Sequence, residues 1–303
     1  MVKQGERQTA HIFDGHVYIF RAYYSLPEME APDGTPTAAA YGFANTLLKY
    51  IAEFSPSHAA CCFDHSMTSF RNALFPGYKA SRLEAPPDLE PQFEICIEVA
   101  RALGFASFSV PDFEADDLIA TATEQAVADG GAVRVVSSDK DLSQLVTEDG
   151  RVTLYDLGKD REFDADGVRE KFGVSPEQIP DYLALVGDSV DELPGVPGVG
   201  PKSAAAALAS FGHLEAFPES INEWEAVATR GARRLGERVN AHREQTRKVR
   251  DLATVVRDVP ALGKLRLADL VYRGADQQAV EALFERLGWG RIATRVQHFA
   301  PRD

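Results

Sequence analysis

The sequence predicts an α/β protein built on a mostly parallel central sheet flanked by helices, and two observations carry that prediction. Apolar, strand-like runs at 9–13 (T-A-H-I-F), 58–63 (H-A-A-C-C-F) and 132–137 (A-V-R-V-V-S) are separated by segments with helical periodicity. Each run also delivers a carboxylate at or just past its C-terminal end: Asp14, Asp64 and Asp139. Such alternation favours parallel strands covered by helices, and the C-terminal ends of parallel strands share one edge, where ligand crevices form.

The elements follow in order. Residues 36–54 place Ala40, Phe43, Leu47, Leu48, Ile51 and Phe54 at helical spacing, and 88–103 do the same with Phe93, Ile97, Ala100 and Leu103. The run F-E-A-D-D-L-I-A at 113–120 opens a further helix, its acids complementing the positive end of the helix dipole. After Tyr155 the pattern turns mainly helical, with glycine- and proline-rich joints. The clearest joint, L-P-G-V-P-G-V-G-P-K at 193–202, lies between helical runs at roughly 180–187 and 203–210. With no long linker, low-complexity tract or strict repeat, the segments are expected to pack as one compact body with a helical C-terminal half.

A length of 303 residues with 45% hydrophobic content suits one large α/β domain plus a smaller unit. No apolar run is long enough to span a bilayer and the N-terminus lacks the apolar stretch of a signal peptide, so a cytoplasmic location without membrane partners is expected. Cys61, Cys62 and Cys96 are odd in number, and two sit in an apolar strand, which argues for reduced packing residues over disulfides or a zinc site. The net charge of −14 counts against a polyanionic partner until its distribution is considered. From Arg230 to Arg250 the chain carries Arg230, Arg233, Arg234, Arg238, Arg243, Arg247, Lys248 and Arg250 against only Glu237 and Glu244. That run suits either a phosphate backbone or a solvated helix face.

Nine acids arrive in five bursts: Asp14; Asp64; Glu114, Asp116 and Asp117; Asp139 and Asp141; Asp188 and Asp191. Crowded together without a cation they would raise one another's pKa values and cost stability, and divalent ions resolve that conflict. All-oxygen ligation without paired His or Cys selects Mg²⁺ or Mn²⁺ over zinc. Two such ions about 4 Å apart clamp the attacking and leaving oxygens of a phosphodiester displacement. His16 and His65 stand near cluster acids but read as packing or surface residues.

Soon after Asp64 comes S-F-R-N-A-L-F-P-G-Y-K-A-S-R at 69–82. Its Arg71, Lys79 and Arg82 suit the stabilisation of charge on a scissile phosphate or the countering of nearby carboxylates, and Tyr78 suits base stacking. The glycine joint is not a Walker A loop, because Pro201 separates Gly200 from Lys202 and the run follows a helix instead of a strand. Close glycines between two helices let backbone N–H groups approach a duplex phosphate.

Together these residues resemble the bacterial 5′-nuclease family, the 5′–3′ exonuclease and flap endonuclease module found at the N-terminus of bacterial DNA polymerase I. The resemblance runs from about Ala10 to the mid-200s, through F-D-G-H-V-Y-I-F-R-A-Y, Y-G-F, F-D…S-F-R…Y-K-A-S-R, F-E-A-D-D, D-K-D-L-x-Q-L, G-D-x-x-D and L-P-G-V-P-G-V-G-P-K-S-A. It implies a PIN-like catalytic domain at 1–175 with a helical arch at about 66–92. A DNA-binding region at 176–303 would follow, with a helix-hairpin-helix or helix-two-turn-helix loop at about 188–203.

On the same basis Asp14, Asp64, Glu114, Asp116, Asp139, Asp141 and Asp191 correspond to the core metal acids, and Asp117 and Asp188 to an additional bacterial pair. Lys79 and Arg82 fall on cationic arch positions, and Arg21 and Arg71 on further basic ones. Gly195, Gly198, Gly200 and Lys202 match the duplex-binding loop, where a K⁺ ion often rests on backbone carbonyls. The implied activity is a Mg²⁺-dependent cut, Mn²⁺ substituting, on DNA with 5′ flaps, 5′ ends, nicks or gaps, and RNA-primer ends, by a monomer. The family usually writes G-D-x-S-D-N-[IL]-P-G, and this chain has Val190 and Glu192 in place of the Ser and Asn. The chain also ends at Asp303 without a polymerase domain, as a stand-alone nuclease would. The alternatives are a branched-DNA-binding protein with weak or no catalysis and a PIN-like ribonuclease, which would need neither arch nor glycine joint.

Overall fold

The structure, a computed structural model, describes residues 7–81 and 85–301. In chain order the first elements are β1 (Thr9–Asp14), α1 (Gly15–Ser25), α2 (Ala38–Phe54), β2 (His58–Asp64), α3 (Phe70–Leu74) and α4 (Glu90–Ala102). Next come β3 (Ala106–Val110), α5 (Ala115–Ala128), β4 (Ala132–Val136), β5 (Val152–Asp156), β6 (Arg161–Phe163) and α6 (Ala165–Phe172). The remainder is helical: α7 (Ile179–Val186), α8 (Pro201–Phe211), α9 (Ala232–Ala241), α10 (Arg243–Ala253), α11 (Gln277–Arg286) and α12 (Gly290–Ala293).

The chain divides into two compact units, where one body was expected. The first is Met1–Met67, Leu83–Ser138 and Val256–Asp303, and the second is Thr68–Arg82 and Asp139–Val255. The division follows tertiary packing, so each unit is assembled from segments that are distant in sequence.

In the first unit four parallel strands lie in the order β3-β2-β1-β4. Register pairs Asp14 with Cys62 and Asp64 with Val110, so the strand ends form one edge, as parallel pairing requires. Helix α5 packs on β1, β2 and β4, while α1, α2 and α4 pack on one another. β1 and β2 are buried along almost their whole length, which explains their near-continuous apolar sequence. Phe13 anchors the core edge-to-face against Tyr50, with ring centroids 4.6 Å apart. Gly42 lets α1 and α2 approach closely, since a Cβ there would lie 2.6 Å from that of Ala22. Burial pushes the thiols of Cys61, Cys62 and Cys96 well above the ordinary cysteine value, and all three are free and buried.

In the second unit β5 and β6 form an antiparallel pair, and α7 packs against α8 and α10. The glycine joint connects α7 to α8 as a helix–loop–helix. Of the arch range 66–92, the described residues hold the five-residue α3, turns at 76–81 and 87–89 and the start of α4; Arg82 lies outside the described residues. No described helix is long and apolar enough to cross a membrane.

Candidate active site

In the first unit the strand edge carries its acids as the sequence pattern suggests. Asp14 ends β1 and caps α1, its Oδ1 accepting from the Val17 N–H at 3.3 Å. Its Oδ2 accepts from Ser137 Oγ at 2.8 Å, and both residues are buried. Gly15 permits this strand-to-helix junction, because a Cβ there would meet the Phe63 ring at 2.4 Å. Asp64 ends β2, and its Oδ1 accepts from the Ala115 N–H at 2.7 Å, which ties the second acid to the start of α5. Asp14 and Asp116 both lie near Cys62 and add to the rise in its pKa after burial. His16 Nδ1 accepts from the Asp64 N–H at 3.1 Å while its ring stacks on Phe93, a packing role that agrees with the sequence reading.

Asp117 turns inward at the start of α5. It is fully buried, Oδ2 accepting from the Glu114 N–H at 3.1 Å and Oδ1 from the Val256 N–H at 2.8 Å, so it braces the start of α5 from inside. Glu114 and Asp116, half-buried at the same helix start, face less enclosed surroundings.

The second unit gathers the other four acids. Asp139 Oδ1 accepts from the Asp141 N–H at 2.8 Å. Asp188, buried in the turn after α7, accepts from the Val190 N–H at 2.7 Å and bonds Lys140 Nζ. The same ammonium stands 3.8 Å from Asp141 Oδ1. Burial first, then the charges of Asp139, Asp188 and Asp191, push the Asp141 carboxyl up to about 8 against the opposing pull of Lys140. Burial works against the charge of Lys140 itself, but the bond to Asp188 and the neighbouring acids outweigh it and hold the ammonium above its ordinary value. Among the described residues Asp141 Oδ1 is buried without a hydrogen-bond partner.

Among the described residues, however, no three His, Cys, Asp or Glu side chains come close enough to share one ion. The acids of the second unit are electrostatic neighbours without being a closed coordination shell, and cationic side chains stand where positive charge is wanted. The donor set still fits a hard cation: it is all carboxylate oxygen, and one buried oxygen lacks a donor.

The cationic residues split. Lys79 Nζ pairs with Asp191 Oδ2 at 3.5 Å, and the Tyr78 hydroxyl donates to the same oxygen at 3.2 Å. Tyr78 is only 3% exposed, and the Lys79 ammonium lies over its ring. Arg71 turns inward. It is 2% exposed, donating through Nε to the Leu252 carbonyl at 2.8 Å and through Nη2 to the Thr254 carbonyl at 3.1 Å. Those carbonyls lie at the end of α10, where a cation also complements the helix dipole.

In the glycine joint, a Cβ on Gly195 would lie 2.4 Å from the Val186 carbonyl carbon, so glycine is needed for backbone-on-backbone packing against the end of α7. Gly198 has φ +75°, and its carbonyl accepts from Arg238 Nη1 at 2.8 Å. Gly200 precedes α8 with open space around it, and Lys202 is exposed in the first helical turn. Arg21 is exposed on α1 of the first unit. The basic run forms α9 and α10, and much of its charge is spent locally. Arg233 pairs with Glu225, Arg243 binds the Phe217 and Pro218 carbonyls, Lys248 pairs with Glu244 and Arg250 with Glu215.

Sequence reasoning missed Ser137 and Lys140. Both had a visible signal: Ser137 directly follows the strand run, and Lys140 sits between two acids in D-K-D.

Comparison with known proteins agrees with this organisation. Residues 9–173 match the family described as 5'-3' exonuclease, N-terminal resolvase-like domain, and residues 174–278 match 5'-3' exonuclease, C-terminal SAM fold. The chain is 38% identical over 288 residues to DNA polymerase I of Bacillus caldotenax, covering 94% of this chain and 32% of that protein. It is 41% identical over 318 residues to DNA polymerase I of Rhizobium leguminosarum, covering 93% and 30%. The chain thus spans about a third of the length of these curated relatives. Among solved structures it resembles the T5 5'-exonuclease with bound zinc, at a TM-score of 0.67 and 21% identity over 92% of this chain and 99% of that one. It also resembles the catalytic core of Rad2 in complex with DNA substrate, at a TM-score of 0.61 and 16% identity over 96% and 92%. With an acid-edged parallel sheet, a glycine-jointed helix pair and both domain matches in order, the chain belongs to the 5'-3' exonuclease family.

Proposed function

We propose that the chain is a structure-specific 5′-nuclease that hydrolyses DNA phosphodiester bonds, as a 5′–3′ exonuclease and 5′-flap endonuclease, with two divalent cations. The observation that carries this reading is the pair of family matches, in order, over a parallel sheet whose strand ends carry acids, and within it Asp141 stands out as a buried carboxylate with one oxygen lacking a donor. Such a group is costly in a fold without a cation and useful in one that binds it. The carboxylates that would hold the ions, Mg²⁺ with Mn²⁺ as a substitute, are Asp14, Asp64, Glu114, Asp116, Asp117, Asp139, Asp141, Asp188 and Asp191. When bound, the ions activate a water nucleophile and offset charge developing on the scissile phosphate.

The rest falls to the chain's own side chains. Ser137 orients Asp14, and Lys140 counters Asp141 and Asp188 until a cation arrives. Lys79 supplies a positive charge to the phosphate, with Arg82 as its companion. Arg21, Gly195, Gly198, Gly200 and Lys202 would position DNA by its backbone, without reading sequence, and the joint's carbonyls suit a K⁺ ion. Solved relatives support a nucleic-acid partner: one T5 flap endonuclease structure is a complex with DNA and metal ions.

The test is cleavage of an end-labelled 5′-flap duplex with Mg²⁺, beside an EDTA control and Asp139→Ala, with product lengths read on a sequencing gel. The reading expects a cut near the single-strand/duplex junction that vanishes in both controls. Tight flap binding without cleavage in Mg²⁺ or Mn²⁺ would favour a DNA-structure-binding protein instead.

A further inference from the structure

We infer that Glu192 is a positioning residue: it clasps the turn carrying Lys79 onto the turn carrying Asp191 and holds the Lys79 ammonium on the Asp191 carboxylate, where it competes with a divalent cation. The inference rests on the nuclease reading for the role of Asp191, but its geometry stands within the second unit alone. Glu192 Oε2 accepts from the Ser81 N–H at 2.6 Å. Two residues earlier the Lys79 N–H donates to the Asp191 carbonyl at 3.2 Å. Between these two backbone ties, Tyr78 and Lys79 both reach Asp191 Oδ2. The two turns are therefore joined by one backbone–backbone bond and through side chains of both.

The backbone conformation points the same way. Lys79 has φ +52° and Glu192 has φ +55°, the left-handed region that residues with a Cβ seldom occupy. Such conformers persist where the surroundings over-determine them, and here each is fixed by a bond to the opposite turn. Ser81 is exposed, so water could satisfy its N–H. The charge-assisted bond from Glu192 therefore orients the turn more than it rescues a buried donor. Once the turn is fixed, the Lys79 side chain, largely covered and lying over the Tyr78 ring, stands with its ammonium 3.5 Å from Asp191 Oδ2. An ammonium on a carboxylate must be displaced before a cation can bind that oxygen, so the clasp raises the divalent-ion concentration the site requires.

The test compares Glu192→Asn and Glu192→Gln in the full chain. Asn tolerates the left-handed backbone but is too short to reach Ser81, whereas Gln keeps an acceptor there and removes only the charge. Mn²⁺ binding by calorimetry should tighten about fivefold in Glu192→Asn, the scale of one partly buried ion pair released. It should stay equal or weaken in Glu192→Gln, because loss of a negative charge alone disfavours a cation. Exchange of the Ser81 amide should speed up about tenfold in the Asn variant and not in the Gln variant. In a Lys79→Ala background, Glu192→Asn should add nothing to Mn²⁺ affinity. Equal Mn²⁺ affinity in the Asn and Gln variants, or unchanged Ser81 exchange, overturns the clasp. Neither readout needs DNA cleavage, so a parent chain that cuts no flap would sink the nuclease reading while leaving these two measurements to decide this one.

Discussion

The Lys140 ammonium bonds Asp188 while standing 3.8 Å from Asp141 Oδ1, so one side chain counters two of the four candidate metal acids in its unit. Lys140→Met should therefore destabilise the metal-free protein, by about 1–2 kcal/mol once solvent screening of a side chain 38% exposed is allowed for. Saturating Mg²⁺ should recover most of that loss. Urea unfolding with EDTA and with Mg²⁺ measures both.

Asp141 adds a pH dependence whose sign is fixed. Its folded-state pKa is raised to about 8 from an ordinary 3.8, so the folded state binds the extra proton between those values. The stability tied to that proton is full below about pH 4 and is lost as pH rises through about 8. Metal-free protein should lose stability between pH 5 and pH 8 more steeply than Asp141→Asn, and Mg²⁺ should stabilise the parent more at pH 8 than at pH 6. Denaturant midpoints at the three pH values, with and without Mg²⁺, check this.

Arg71 predicts a separation of stability from chemistry. Arg71→Ala leaves the Leu252 and Thr254 carbonyls without their donor and should cost about 2–4 kcal/mol. Below the melting transition, the cleavage rate per folded molecule should fall less than about tenfold, because the buried guanidinium is engaged by the Leu252 and Thr254 carbonyls. A rate loss of many hundredfold in folded protein would place Arg71 in the catalytic set.

Ser137→Ala tests orientation of an acid. Removing the donor to Asp14 Oδ2 should cost about 1 kcal/mol of stability and roughly 10–100-fold in Mg²⁺ affinity or cleavage. Thermal melts paired with a Mg²⁺ titration of cleavage separate the two effects.

The glycine joint offers a steric test. Gly195→Ala brings a Cβ within 2.4 Å of backbone that cannot move aside cheaply, at a cost of about 1–3 kcal/mol. Gly200→Ala, with open space around the site, should be far milder for stability, so weaker duplex binding there would report on DNA approach. Melting temperatures and fluorescence anisotropy with a labelled duplex distinguish them.

How far the sequence could be read depended on which physical signal each residue leaves. β1 and β2 were legible because burial on both faces writes continuous apolar runs, β4 because its buried Val133, Val135 and Val136 still read as a strand around Arg134, and the acids at their ends followed from parallel pairing. Strand β3 (A-S-F-S-V) is half-exposed throughout and left no such run. Helix α1 was hidden because Asp14 ends a strand and caps a helix with no loop between. The inward turn of Arg71, Tyr78 and Asp117 was not legible, since residue type says nothing about which carbonyls or N–H groups a polar side chain will find once packed. The left-handed backbone at Lys79 and Glu192 was equally invisible, because neither position carries the glycine that usually announces it.

The measurement that bears most directly on the central claim is single-turnover cleavage of a 5′-flap duplex as Mg²⁺ is titrated, for the parent, Asp14→Ala and Asp188→Ala, with flap affinity measured separately in Ca²⁺. The account predicts that each variant loses about 10²–10³-fold or more in maximal rate while flap affinity changes little, as expected when an ion that carries transition-state charge is lost. Cleavage by either variant at the parent rate, or a parent rate indifferent to EDTA, would contradict it.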